Sequence, residues 1–526
     1  MRFIFQSQFN RIAIQCWIGW VYLTLKYQLS RYKDEQTRLA QRYDIANSKI
    51  ETYSDTMRVR ISDLASRCLE EKNFAWTSGT MNKPKQIFYP KHRLRKLQKT
   101  YIEQVVLAYS YLGLNRPAFY FFTSMSADNS VSNLLCKEPL PRVLENWILS
   151  DSIVYIPAIA QLTSKYRQEI LHLAMLLLSQ PSLLATANPS SIYILVEKVR
   201  TDWDSSRQQL AEFLKEPHIV ELLRKKLGSD VDVRLKRAKQ LIAQSQAPEI
   251  QELFPELKAI YCWDGGYVQP FIDNVRNQFV PMALQFFPMF SLSTETVSYL
   301  IYPHISTQGG LPIYPEICHE FLPVDLSINE ENILKPWELK VGHQYTMLVS
   351  DAYGLKRYHT EDMFECLNFK DSTPVLRFIG RIGLSYSFTG EKITDKQLLK
   401  TYESIRDKFK IPEIAFTCFP RLNQGSVPGY VFVCITDKDT ASPLRDISAE
   451  TIDQTLMEMN QEYASKRNSN RLIKPELVVQ SYKQFVDKLR NYNHCSVGTS
   501  SAQFKILPLY KMFWEDVNQE RSSVHE

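Results

Sequence analysis

Glycine is scarce in this chain, with 16 among 526 residues, so any loop that carries one stands out. The nine cysteines are scattered, odd in number and contain no C-x-x-C pair. That pattern argues against a disulfide framework or a paired-cysteine zinc site, and a reducing cytoplasm is expected. Neither sign of charge dominates: 63 Lys+Arg against 57 Asp+Glu leave +6, which gives no reason to expect a nucleic-acid partner. Internal repeats and low-complexity tracts are also missing. No apolar run reaches the roughly 20 residues that a bilayer span needs. The nearest approach, Ile12 to Leu25, is interrupted by Gln15 and flanked by Arg11 and Lys26, and no small-residue cleavage site follows it. It reads as a helix buried in the protein or facing a partner, with no stable membrane insertion.

What is present is a large apolar supply. The chain is 44% hydrophobic and 23% charged, with 28 Tyr, 27 Phe and 8 Trp, as in a globular protein with a sizeable core. Its length exceeds the usual single domain. Residues 1–70 carry apolar positions at three and four spacing and predict helices, as do 91–115 and most of 140–245. The basic runs Leu222–Lys226 and Arg234–Lys239 alternate with leucine, as on the solvated face of an amphipathic helix. From 258 onward short β-rich runs appear at Ala259–Trp263, Val297–Tyr302, Tyr345–Ser350 and Leu376–Ile379, bounded by Gly, Pro and Asp. After Arg381 helix and strand alternate: a helix over 394–408, a strand over 429–435 and a helix over 449–463. The division predicted is a large domain over 1–382 and a small α+β domain over 383–526.

One glycine sits in Thr77–Lys85 (TSGTMNKPK), directly after the strand-like Asn73–Trp76. A strand followed by Ser, Thr and Gly is a common way to wrap phosphate. Backbone N–H groups form a concave anion site, hydroxyls add donors, and glycine permits close approach. Lysine supplies the point charge. An ordinary polar turn would have a similar composition, so the stretch alone decides little.

Three further stretches lie downstream of it in order: Ser291–Ser298 (SLSTETVS), Tyr353–Asp362 (YGLKRYHTED), and Phe378–Arg381 (FIGR) followed by Gly390–Lys392 (GEK). Ala502–Ile506 (AQFKI) stands near the end. Together they resemble the adenylate-forming superfamily of acyl-CoA synthetases, adenylation domains and firefly luciferase. Within it they resemble most the auxin-responsive acyl-acid amido synthetase family and its bacterial relatives, with collinear likeness over about 48–510. That resemblance implies an α/β fold, with a large domain of helices around β-sheets, including a β-barrel-like part, and a small mobile C-terminal lid. The implied activity is a ligase forming an amide bond. A carboxylic acid attacks the α-phosphorus of ATP to give an acyl-adenylate and pyrophosphate, and an amino acid's amine then takes the acyl group.

By the same resemblance, Thr77, Ser78, Gly79 and Thr80 would hold the ATP phosphates, with Lys85 adding charge. Thr294 would approach the α-phosphate, Glu295 would hold Mg²⁺ and Asp362 would accept from the ribose hydroxyls. Lys505 would serve the attacking carboxylate, and Arg381 would mark the hinge. The implied partners are a small carboxylic acid and an amino acid, on a monomer. A nucleotide- or acyl-binding relative with little catalysis, and a ligase for coenzyme A, are the alternatives. Met81, Asn82, His359 and Glu361 depart from the family pattern, which has a hydroxyl, a glycine, an arginine and a glycine there. Cys318-His319-Glu320 has metal-binding elements at the wrong spacing, because neighbours on a strand point to opposite faces.

Overall fold

The computed structural model describes residues 2–52, 54–70, 72–76, 85–114, 119–121, 131–137, 159, 161–187, 189–228, 230–264, 269–382, 385–386, 393–410, 415–421, 428–436, 447–468, 472–492, 506–510, 512–514 and 517. It falls into two compact units that meet in sequence at Gly380 and Arg381.

The larger unit opens with three helices, α1 (Arg2–Ser30), α2 (Tyr32–Arg42) and α3 (Asp55–Arg67). In α1 the side chains of Ile14, Ile18, Val21, Leu25 and Leu29 are buried. Their spacing of three and four lays them along one stripe of the helix. The Ser54 hydroxyl caps α3 by accepting from the Met57 amide at 3.3 Å. Strands β1 (Lys72–Trp76) and β2 (Gln86–Pro90) then form an antiparallel hairpin in which Trp76 pairs with Gln86. Pro90, with no amide hydrogen to satisfy, leads directly into α4 (Lys91–Tyr111).

Next come four parallel strands in sequential order: β3 (Phe119–Phe121), β4 (Leu183–Thr186), β5 (Ala259–Cys262) and β6 (Gln285–Pro288). Every residue of β4 and β5 is buried, as expected of parallel strands covered on both faces. Helices Gln168–Ser179, Ser190–Thr201, Trp203–Phe213, Pro217–Leu227 and Asp230–Ile242 lie between β3 and β5 in the chain. The helical reading of 140–245 holds for most of its described part. It missed β4 because a four-residue apolar run beside leucine-rich helices has no period of its own. Arg224 in the first basic run pairs with Glu221 and Asp232 on the surface. Arg234 in the second is buried instead, and it donates to the carbonyls of Leu178 and Ser179 at the end of helix Gln168–Ser179.

The antiparallel part comprises the short hairpin β7 (Ser291–Leu292) and β8 (Val297–Tyr299), and a sheet of order β12-β11-β10-β9. Its strands are β9 (Cys318–Pro323), β10 (Gln344–Ser350), β11 (Tyr358–Lys370) and β12 (Thr373–Arg381). Single bridges from Gly310 to Leu376 and from Leu300 to Leu311 carry the pairing on from β12 towards the β7–β8 hairpin. A Cβ at Gly310 would meet the Leu300 carbonyl at 2.4 Å, so this close passage requires glycine.

The smaller unit contains a two-residue pair, β13 (Ser385–Tyr386) and β14 (Ile393–Thr394), and the helix Asp395–Phe409. Thr394 and Gln397 close a capping box at the start of that helix. Its three-stranded sheet joins β15 (Ala415–Arg421) antiparallel to β16 (Gly429–Ile435), which pairs in parallel with β17 (Glu476–Gln480). Separate hydrophobic clusters pack on the sheet's two faces, one around Cys418, Tyr430 and Leu456, the other around Phe419, Val433 and Phe485. The helix expected over 449–463 is interrupted at Asn460, where the backbone becomes extended.

Candidate active site

Three of the sequence motifs converge on one point of the larger unit. Lys85 is the last residue of the β1–β2 connection, Glu295 sits in the turn between β7 and β8, and Tyr358 opens β11. The Lys85 Nζ donates to the Tyr358 hydroxyl at 2.7 Å and lies 3.4 Å from Glu295 Oε1. The Tyr358 hydroxyl donates to the same carboxylate oxygen at 3.4 Å. Tyr358 and Glu295 are buried, so the cluster is formed in a space with little competing water.

Local structure explains how Glu295 comes to be there. Ser293 and Thr296 close the tight turn: the Ser293 amide donates to the Thr296 carbonyl at 2.9 Å, and the Thr296 amide donates to the Ser293 hydroxyl at 3.1 Å. Thr294 and Glu295 are left at the tip. Tyr89 of β2 holds that tip by donating its hydroxyl to the Thr294 carbonyl at 2.9 Å. Arg93 of α4 holds it from the other side, with one terminal nitrogen donating to the Glu295 carbonyl at 2.9 Å. The other terminal nitrogen donates to the Phe88 carbonyl at 2.7 Å, and the guanidinium lies 3.4 Å from an Asp351 oxygen. Its carbon stands 4.1 Å from the Tyr89 ring centroid and 4.5 Å from that of Tyr353. Arg93 thus ties β2, the β7–β8 turn and the turn after β10 into one support.

Asp362 lies farther along β11, half-buried, in a place where the strand is irregular. The pairing of β10 with β11 steps from Leu348–His359 to Thr346–Met363, so β11 uses four residues where β10 uses two. Within this bulge Glu361 has φ 63°, a left-handed conformation that glycine adopts most readily. The bulge is pinned on both sides. His359 Nε2 lies 2.9 Å from the Thr346 hydroxyl, and the Thr360 hydroxyl donates to the Met347 carbonyl at 2.9 Å while accepting from the Asp362 amide at 3.3 Å. A bulge rotates the residue that follows it, which is how Asp362 is aimed.

Of the other expected site residues, Thr77, Ser78, Gly79, Thr80 and Lys505 lie outside the described residues, as do Met81, Asn82 and Gly390–Lys392. Arg381 ends β12, with its side chain undescribed. Among the described residues no group of three or more His, Cys, Asp and Glu is arranged to hold a metal ion. Cys318-His319-Glu320 has a structural role. Glu320 accepts from Arg357 at 2.9 and 3.1 Å, while His319 is buried on the opposite face and held near a pKa of about 3 by its burial.

Tyr358, Tyr89, Arg93 and Asp351 were not singled out from the sequence. Tyr358 lies inside a motif that was, and position alone would have nominated it. Arg93 sits in a basic run at the start of a helix, where nothing local distinguishes an inward arginine from a solvated one.

Comparison with solved structures shows the fold. The chain superposes on AtGH3.15 acyl acid amido synthetase in complex with 2,4-DB with a TM-score of 0.67. The two share 16% identity, with 90% of this chain and 86% of that one covered. This is the expected mixed α/β architecture of a large N-terminal domain and a smaller C-terminal one. The family follows from the sequence: residues 70–284, 311–381 and 396–519 match the GH3 family N-terminal, central and C-terminal domains, and the chain belongs to the GH3 family. Two curated relatives from Nicotiana attenuata are the jasmonoyl–L-amino acid synthetases JAR6 and JAR4. JAR6 is 25% identical over 273 residues, 49% of this chain and 45% of its own length. JAR4 is 27% identical over 200 residues, 35% of this chain and 33% of its own length. The chain spans less than half the length of these relatives.

Proposed function

We propose that the protein is an ATP-dependent acyl-acid amido synthetase, which activates a carboxylic acid as its adenylate and passes the acyl group to the amine of an amino acid. The observation that carries this is the meeting of Lys85, Glu295 and Tyr358, from three separate motifs, at one buried point of a GH3 family fold. A free carboxylate is a poor electrophile, and adenylation gives its carbonyl a good leaving group. The first step therefore demands cationic charge opposite the phosphates, a fixed line of attack and exclusion of water. Lys85 is the proposed source of that charge, and the amides and hydroxyls of Thr77–Thr80, just before it in the sequence, are the proposed phosphate cradle. Asp362 is the proposed ribose ligand, since a carboxylate's two oxygens suit a diol. Lys505 is the proposed catalytic lysine for the attacking carboxylate, and Arg381 marks the proposed hinge.

Mg²⁺ fits Glu295 as a substrate-borne ion. Magnesium is held through one or two carboxylates together with phosphate oxygens, and the single buried carboxylate of Glu295 would be the protein's share of such a set. When bound, the ion would neutralise phosphate charge. The Glu295 backbone, clamped by Tyr89 and Arg93 through the turn, fixes the direction from which that carboxylate is offered. Small carboxylic acids and amino acids are the proposed substrates, and a monomer in the cytoplasm is proposed as the working form.

The test is carboxylate-dependent exchange of pyrophosphate into ATP over a panel of aryl and fatty acids. Exchange is expected with at least one acid, and Lys505→Ala should lower it by two orders of magnitude or more, the usual scale for losing a charge that stabilises a transition state. Tight ATP binding without exchange on any acid would make the protein a nucleotide-binding relative. Amino acids and coenzyme A are then offered to the productive mixture. Thioester without amide would assign the ligase to the other branch.

A further inference from the structure

Helix α1 has two apolar stripes, and the fold uses one. Opposite Ile14, Ile18, Val21, Leu25 and Leu29 stand Ile12, Cys16, Trp20, Leu23 and Tyr27, again spaced by three and four. Ile12 is 63% exposed, Trp20 52%, Leu23 70% and Tyr27 66%, and Cys16 is exposed too. A run of neighbouring apolar side chains on one helix face differs from the single exposed apolar residues found on most surfaces.

The charge around the stripe is mainly basic. Residues 1–33 include Arg2, Arg11, Lys26, Arg31 and Lys33 and no Asp or Glu. Lys26 is exposed on the flank of the stripe, and Lys99 of α4 extends over the Trp20 ring at 5.2 Å from its centroid. The carboxylates nearby are Asp34, 3.4 Å from Arg31 beyond the end of α1, and Glu103, mostly buried and 3.7 Å from Lys99. Pairing of this stripe with that of a second copy would gather the basic flanks of both copies, Lys26 included, at one interface. An anionic lipid surface has the complementary charge. Trp and Tyr, with an apolar ring and a polar tip, are the side chains that settle at a membrane interface.

We infer that the outward stripe of α1 docks the protein reversibly on anionic membrane, with the helix in the interfacial plane and its basic flank toward the headgroups. None of the described helices is long and apolar enough to cross a membrane, and the docking is peripheral. It would set a soluble reaction beside a source of lipophilic carboxylic acids. The docking itself is independent of the ligase proposal.

The experiment is sedimentation of the full chain with sucrose-loaded vesicles, either of phosphatidylcholine alone or with a third of the lipid replaced by phosphatidylserine. The chain should pellet with the anionic vesicles and remain in solution with the neutral ones. Lys26→Gln should weaken binding about fivefold, the worth of one basic residue at such a surface. Leu23→Asp, at a position already in water, should reduce it by more than tenfold with the thermal unfolding midpoint unchanged. Binding to neither vesicle, equal binding to both, or anionic binding that Leu23→Asp leaves intact would overturn the inference. So would a concentration-dependent dimer, seen by sedimentation velocity, that Leu23→Asp dissociates.

Discussion

Glu361 holds a glycine's backbone conformation without being glycine. A non-glycine residue in the left-handed region costs about 1–2 kcal/mol, and here φ is 63°. Glu361→Gly should therefore raise stability by about 1 kcal/mol, and Glu361→Val, branched at Cβ, should lower it by a similar amount or more. Thermal unfolding of the two variants decides this; a less stable glycine variant would mean that the glutamate's contacts outweigh the strain. His319 gives a pH dependence. Its folded pKa of about 3 lies below the usual histidine value, so the unfolded chain takes up a proton that the folded one refuses. The stability from keeping it neutral is complete above about pH 6.5 and is lost as pH falls towards 3. His319→Gln should remove up to about 1.4 kcal/mol per pH unit from the acid slope of the unfolding free energy, read from denaturant titrations. An unchanged slope would show that the carboxylates alone set it.

At the scale of elements, the sequence made strands and helices legible where their period was long enough. β10, a seven-residue strand carrying Tyr, Met, Leu and Val, and the capped helix Asp395–Phe409 were both anticipated, whereas β4 was hidden among leucine-rich helices. Motif resemblance likewise singled out Lys85 and Glu295, but not what they rest on. The arrangement of Arg93 depends on Phe88 five residues away, Glu295 some two hundred away and Asp351 farther still, and no local pattern encodes such a meeting. Arginine suits it because a planar fork can donate in two directions while stacking on rings. Arg93→Lys should accordingly fail as a conservative change. It should lose several kcal/mol of stability, as when a buried pair is broken, and raise the Mg²⁺ concentration needed for half-maximal exchange. A lysine variant with the wild-type magnesium dependence would confine Arg93 to holding the fold.

At the scale of the molecule, binding and chemistry are proposed to rest on different residues, and this can be separated by experiment. A ligand that binds the folded chain at a hundred times its Kd adds about 2.7 kcal/mol of stability. Mg-ATP should raise the unfolding midpoint of wild type and of Lys505→Ala alike, while exchange survives only in wild type. Glu295→Gln should weaken both. If Lys505→Ala lost the ATP-induced shift as well, that lysine would belong to nucleotide binding and not to the attack.

The two-striped α1 also has a cost in time. A ribosome adds roughly 5–20 residues per second, and α1, apolar on two sides, emerges before the elements it packs against. Its partner α4 ends at Tyr111, and the Tyr302 ring that meets Tyr22 lies nearly two hundred residues beyond. The nascent helix therefore waits on the order of seconds for α4 and tens of seconds for Tyr302 at that rate. Throughout that interval it is a greasy, basic segment at the tunnel mouth, where chaperones and lipid compete for it. The yield of folded chain in a cell should then follow the speed of translation between α1 and the end of α4 more closely than the stability of the finished protein.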